Sequence, residues 1–155
     1  LWSRERFVMI GVHISKNVRG EMDALMLASE QARRAHNTDA VVMLGDMTCL
    51  STRRRNQLML YTDDEYHWLL PEGTDTATSR STCTYDRFIA TPAFMQFVVP
   101  GSASAYRFDD EMEEVGSICS KEVSDHYPVE LVAQFRKSSR SRAVRRKIGR
   151  AVERR

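Results

Sequence analysis

An α/β fold built on a βαβ unit is what this sequence predicts, and three observations carry it. Residues 6–12 (RFVMIGV) and 40–44 (AVVML) are short, continuously apolar runs suited to buried strands. Between them, residues 17–35 place Val18, Met22, Leu25, Ser29 and Ala32 at three- and four-residue intervals, the spacing of one helix face. Strand, helix, strand in that order predicts parallel pairing of the two strands.

The elements follow in order. The first strand ends at His13, and Glu21 and Asp23 near the start of the helix complement its dipole. The second strand is punctuated by Gly45. Residues 51–66 turn polar, with a basic cluster at Arg53, Arg54 and Arg55. "YHWLLP" (66–71) reads as a short packed helix stopped by Pro71, and "EGTDTATSRST" (72–82) as an irregular surface loop. "RFIA" (87–90), "FVVP" (97–100) and "PVELVAQF" (128–135) read as three further strands. Between the last two, 101–124 holds an acidic cluster, Asp109 to Glu114, expected in a loop with a short helix.

Composition bounds the class. The length of 155 residues suits one ordinary domain, and 42% hydrophobic with 28% charged residues suits a packed core rather than global disorder. The net charge of +2 hides an asymmetry: residues 136–155 carry ten Lys/Arg and one Glu, 10 − 1 = +9, and the other residues 13 − 20 = −7. A basic tail of this kind contacts phosphate or an anionic surface, or stays solvated. Val144, Ile148 and Ala151 share one face of it, which fits an amphipathic helix at a membrane surface or a nuclear-import signal. No apolar run approaches the ~18 residues needed to span a bilayer. The chain starts at Leu1, with a strand-like run almost at once and no visible leader, so it is expected to be a fragment or a processed piece. Three cysteines (Cys49, Cys83 and Cys119) allow one intrachain bridge and do not by themselves fix a redox compartment.

The chemistry gathers at strand ends. His13 follows the first strand, Asp46 the second; Asp86 precedes the third, and Asp125-His126 the last. Alone, Asp46 suits a turn or a helix cap and His13 a rim position. Together they converge on one rim if the strands lie side by side. Carboxylates are hard oxygen ligands for Mg²⁺ or Ca²⁺. An imidazole held by a carboxylate moves protons near neutral pH. The combination suits metal-assisted cleavage of a phosphodiester.

The segments "VHISKN…EMDAL", "MLGDMTC", "HWLLPEGTDTAT", "CTYDRFIA", "VVPGSA" and "VSDHYPVEL" occur in the order and rough spacing of the deoxyribonuclease I family, of the endonuclease/exonuclease/phosphatase superfamily. The resemblance covers about residues 5–135, a partial domain at 1–135, with the basic tail at 136–155 similar to the gamma-type, chromatin-directed branch. It implies the C-terminal half of a four-layer α/β sandwich, one mixed β-sheet with flanking helices. It further implies a divalent-metal-dependent endonuclease acting on DNA or chromatin with Mg²⁺ and Ca²⁺, or Mn²⁺ in their place. His13 and His126 look like the acid/base pair at the two ester oxygens, and Asp86, with Tyr85 beside it, like the partner orienting His126. Asp125 looks like a metal-proximal carboxylate, and Asp46 like a metal or phosphate-site aspartate. Asp75 falls in a loop resembling a structural Ca²⁺ site, while Thr48, Tyr85 and Arg87 match the phosphate- and DNA-binding positions. Cys49 and Cys83 match the family's disulfide, which leaves Cys119 free and implies a secreted or endoplasmic-reticulum protein; the tail also admits a nuclear one.

Two departures accompany the resemblance. The family's Gly-Asp-x-Asn is here Gly45-Asp46-Met47-Thr48. A threonine hydroxyl is shorter than an asparagine amide and lacks its paired carbonyl and NH₂. The second is the unmatched N-terminal half, which in the family supplies a metal-binding glutamate, a second asparagine, the glutamate paired with the residue matching His13, and the actin-binding surface. Actin binding is therefore not expected here. The competing expectation is an inactive relative that holds nucleic acid through its basic tail.

Overall fold

The computed structural model describes residues 5–78, 82–111 and 120–135. The expectations for the tail 136–155, for Cys119 and for residues 112–114 lie outside these. In chain order the elements are β1 (Val8–His13), α1 (Val18–His36), β2 (Val41–Asp46), α2 (Thr52–Arg55), α3 (Met59–Thr62) and β3 (His67–Trp68). Then follow β4 (Asp86–Ala90), α4 (Pro92–Met95), β5 (Ser104–Ala105), α5 (Phe108–Glu111), α6 (Ser120–Val123) and β6 (Val129–Glu130).

The main sheet has the order β1-β2-β4-β3. β1 and β2 run parallel, from Val8↔Val41 to His13↔Asp46. β4 is antiparallel to β2, pairing Asp46 with Asp86, and β3 is antiparallel to β4. The sheet is therefore mixed, and helices flank it. β5 and β6 form a separate antiparallel pair.

α1 connects the parallel strands, as a crossover must. Its start is fixed twice: the Asn17 side chain accepts from Gly20 N–H, and the Glu21 carboxylate accepts from the backbone N–H groups of Ser15, Lys16 and Asn17. These three donors hold the Glu21 carboxyl below the usual carboxylate range. The helix ends at Asn37, which takes the left-handed conformation at φ 48°, a residue type that tolerates it.

Both faces of the central strands are covered. Met22 of α1 joins Ile14, Met43, Leu60 and Ile89 on one face; Val42, Phe88, Ala90, Phe94 and Phe97 form a second cluster. Side chains of successive strand residues alternate between faces, so the continuous run at Val41, Val42 and Met43 is buried throughout (at most 2% exposed). β1 differs from the expected buried strand. It lies at the sheet edge, its residues alternate between half-buried and exposed, and Met9 is 59% exposed.

Gly45 is required where β1 and β2 meet. It sits at φ +132°, and a Cβ there would come within 2.2 Å of the Val12 carbonyl oxygen.

Three local expectations are corrected. Residues 66–71 hold a strand, β3, and no helix. So short a helix has little stability of its own, whereas pairing with β4 continues through Leu69 N–H to Phe88 O. Residues 97–100 do not form a strand of the main sheet: Pro92 opens α4, the chain turns, and Val98 meets Ala133 in an isolated bridge. The run 128–135 is correspondingly reduced to β6 plus that bridge. Among the described residues no helix is long and apolar enough to cross a membrane.

Candidate active site

The sheet register builds the site. His13, Asp46 and Asp86 are Cα partners across β1, β2 and β4, so they form one row at a single end of the sheet. Partners directly opposite share a face. Just beyond the row, the Asp46 carboxylate folds back, and its Oδ1 accepts from Thr48 N–H at 2.8 Å. Thr48 is thereby held at φ 62°, a conformation rare for a β-branched residue.

His126 reaches this row from a distant part of the chain. It pairs with Ala77 in an isolated antiparallel bridge, flanked by Thr78 N–H to Asp125 O and Tyr127 N–H to Thr76 O. Its ring is then set between two carboxylates. Nδ1 lies 2.8 Å from Asp86 Oδ2, and Nε2 lies 4.0 Å from Asp46 Oδ2. Tyr85 flanks the ring with centroids 5.2 Å apart. Partial burial by itself lowers the imidazole pKa, but the Asp86 hydrogen bond and charge, with Asp46 and Asp125, outweigh it, so the pKa is raised above 6.5. Asp125 itself is exposed, with its carboxylate close enough to contribute to this field.

The other expected site residues are distributed differently. Asp75 stands beside the pair rather than in it. Its Oδ1 accepts from Ala77 N–H and Cys83 N–H, and its Oδ2 is 3.9 Å from Arg107 Nη1. Arg87, expected at a DNA-binding surface, is a correction. It follows Asp86 on the strand and therefore points to the opposite face, only 5% exposed. There it stacks over Trp68 at 5.2 Å and donates to Thr84 O. Burial, followed by the neighbouring Arg55, lowers its pKa to about 10. Among the described residues no three His, Cys, Asp or Glu side chains cluster closely enough to hold a metal by themselves. Cys49 and Cys83 are joined in a disulfide with a Cα–Cα distance of 5.8 Å.

Residues 74–78, expected in an irregular surface loop, pack into the structure beside the site: Thr76 is fully buried and Ala77 is 4% exposed. Their signal was the alternation Thr74, Thr76, Thr78 in "TDTAT", a period of two that fits an extended strut.

The fold and site together define a mixed α/β protein with an acid–imidazole pair at one rim of its sheet. No family model matches the chain. It is 33% identical over 133 positions to deoxyribonuclease-1-like 1 of Rattus norvegicus, covering 80% of this chain and 41% of that protein. It is 29% identical over 116 positions to deoxyribonuclease-1 of Rattus norvegicus (72% and 40%). With deoxyribonuclease-1-like 2 of Mus musculus the identity is 29% over 133 positions (82% and 48%). Over this stretch the chain belongs to the deoxyribonuclease I family, and it spans less than half the length of these curated relatives.

Proposed function

We propose that the chain carries one half of the working site of a divalent-metal-dependent endonuclease that hydrolyses DNA phosphodiester bonds. The observation that supports this reading most is the Asp86–His126 contact at 2.8 Å, with Asp46 facing the other ring nitrogen. Asp86 accepts from Nδ1–H, which orients the ring and leaves Nε2 to take or give a proton at an ester oxygen. His13, in the same register row, is the second proton-moving group at the opposite ester oxygen.

The field at this rim argues for a cation. Asp46, Asp86 and Asp125 surround His126 with negative charge, and a phosphodiester approaching them would be repelled. Asp125 and Asp46 would hold Mg²⁺ together with water and phosphate oxygens, an arrangement Mg²⁺ favours. Once bound, the cation would offset the charge that builds on the phosphoryl oxygens. Mn²⁺ would serve the same donors, and Asp75 is the carboxylate proposed for a structural Ca²⁺. The Cys49–Cys83 disulfide supports passage through an oxidising, secretory compartment.

Nicking of supercoiled plasmid tests the proposal. Activity should require Mg²⁺, vanish with EDTA and be lost in His126→Gln. Cleavage that persists in EDTA or in that variant would overturn it. Thr48 favours a second reading, since the position matching the family's asparagine carries no amide. On that reading the chain binds nucleic acid or chromatin through residues 136–155 without cutting it. Binding that falls steeply with salt and disappears with the tail would support it.

A further inference from the structure

We propose that Thr76 is a positioning residue that holds Asp86 and His126 in their working geometry. The proposal rests on the reading of that pair as proton-moving machinery. Asp86 opens β4 and His126 lies forty residues later, so nothing local aligns them. Thr76 stands between the two segments and bonds to both. Its Oγ1 accepts from Tyr85 N–H at 2.9 Å and from Asp86 N–H at 3.1 Å. Its carbonyl accepts from Tyr127 N–H at 2.9 Å, next to His126. Its own N–H donates to Cys83 O at 3.1 Å. One residue therefore ties the backbone of Asp86 to the backbone beside His126.

The neighbours reinforce this link without duplicating it. Thr78 grips the other side of His126, through its N–H to Asp125 O and its hydroxyl to Ser124 O. Thr84 anchors the strand entry by donating to Thr74 O. Neither reaches the Asp86 amide. Thr76 is 0% exposed, so water cannot replace its oxygen as acceptor. A hydroxyl is the small side chain able to take two adjacent amides there, and valine of the same shape cannot.

The test reads the link directly in the full chain, by amide hydrogen exchange at Tyr85 and Asp86 and by the nuclear Overhauser contact between the Tyr85 and His126 rings, whose centroids lie 5.2 Å apart. Thr76→Val should speed exchange of both amides at least about tenfold and weaken the ring contact, and Thr76→Ser, which keeps the hydroxyl, should leave both at the wild-type values. A folded Thr76→Val with wild-type exchange and ring contact would overturn the proposal. If that variant does not fold, Thr76→Ser decides: wild-type exchange and ring contact support the hydroxyl's role, and loss of both overturns it. Neither measurement needs cleavage of DNA, so a chain in which His126→Gln leaves nicking unchanged would defeat the proposed function while these measurements still judge Thr76.

Discussion

The His126 Nδ1 atom stands 2.8 Å from Asp86 Oδ2, and the two residues lie forty positions apart in sequence. Burial alone would lower the imidazole pKa, but the hydrogen bond to Asp86 and the charges of Asp86, Asp46 and Asp125 together raise it above its ordinary 6.5. The sign for stability follows from the linkage: a histidine with a raised folded-state pKa adds stability that is complete below 6.5 and is lost as pH rises through the folded value. Urea unfolding across pH 5 to 9 should therefore show this contribution fading on the alkaline side, roughly above the unperturbed histidine pKa. Asp86→Asn should flatten that dependence. An unchanged pH profile in the variant would show that the pair is not the source.

Thr48 should be improved by asparagine. At φ 62° its branched side chain crowds the backbone, and such residues typically cost about 1 kcal/mol or more. Asparagine adopts this region readily. Thr48→Asn is expected to raise the urea midpoint, by about 1 kcal/mol in stability, and Thr48→Val, equally branched, is not. Under the proposed function the asparagine variant should also nick plasmid faster.

Gly45 should tolerate no side chain. The Val12 carbonyl oxygen would sit 2.2 Å from a Cβ, and φ is +132°. Both are backbone constraints, so no rotamer change relieves them. Gly45→Ala is expected to lose at least about 3 kcal/mol, measured as a drop in thermal midpoint by circular dichroism. A wild-type midpoint would show that β1 and β2 can separate at this point.

The Cys49–Cys83 bridge closes a loop with a sequence separation of 34. In the chain-entropy picture a loop of this size is worth about 2–4 kcal/mol. Replacing both cysteines by serine should lower stability by that amount, read from denaturant unfolding without reductant. The bridge also ties the turn after Asp46 to the entry of β4, so the double variant should broaden the His126 resonance.

The βαβ unit was legible because its signals are local. Apolar runs at Val41–Met43, helical spacing from Val18 and the acids near the helix start all act within a few residues of one another. β3 was not legible: His67 and Trp68 become a strand only because β4 offers an edge, and over so few residues the local pattern carries little free energy. The edge position of β1 was hidden for the same reason, since an apolar run reads alike at an edge and at the centre of a sheet.

The chain by itself determined which residues could do chemistry: imidazoles and carboxylates at strand ends, and three cysteines with room for one bridge. Only the tertiary structure decided which of them meet. Register placed His13, Asp46 and Asp86 in one row and turned Arg87 to the buried face, because side chains alternate along a strand. A bridge from Ala77 carried His126 onto Asp86. The alternation in "TDTAT" could suggest an extended strut, but which distant amides the Thr76 hydroxyl meets was set only when the chain folded.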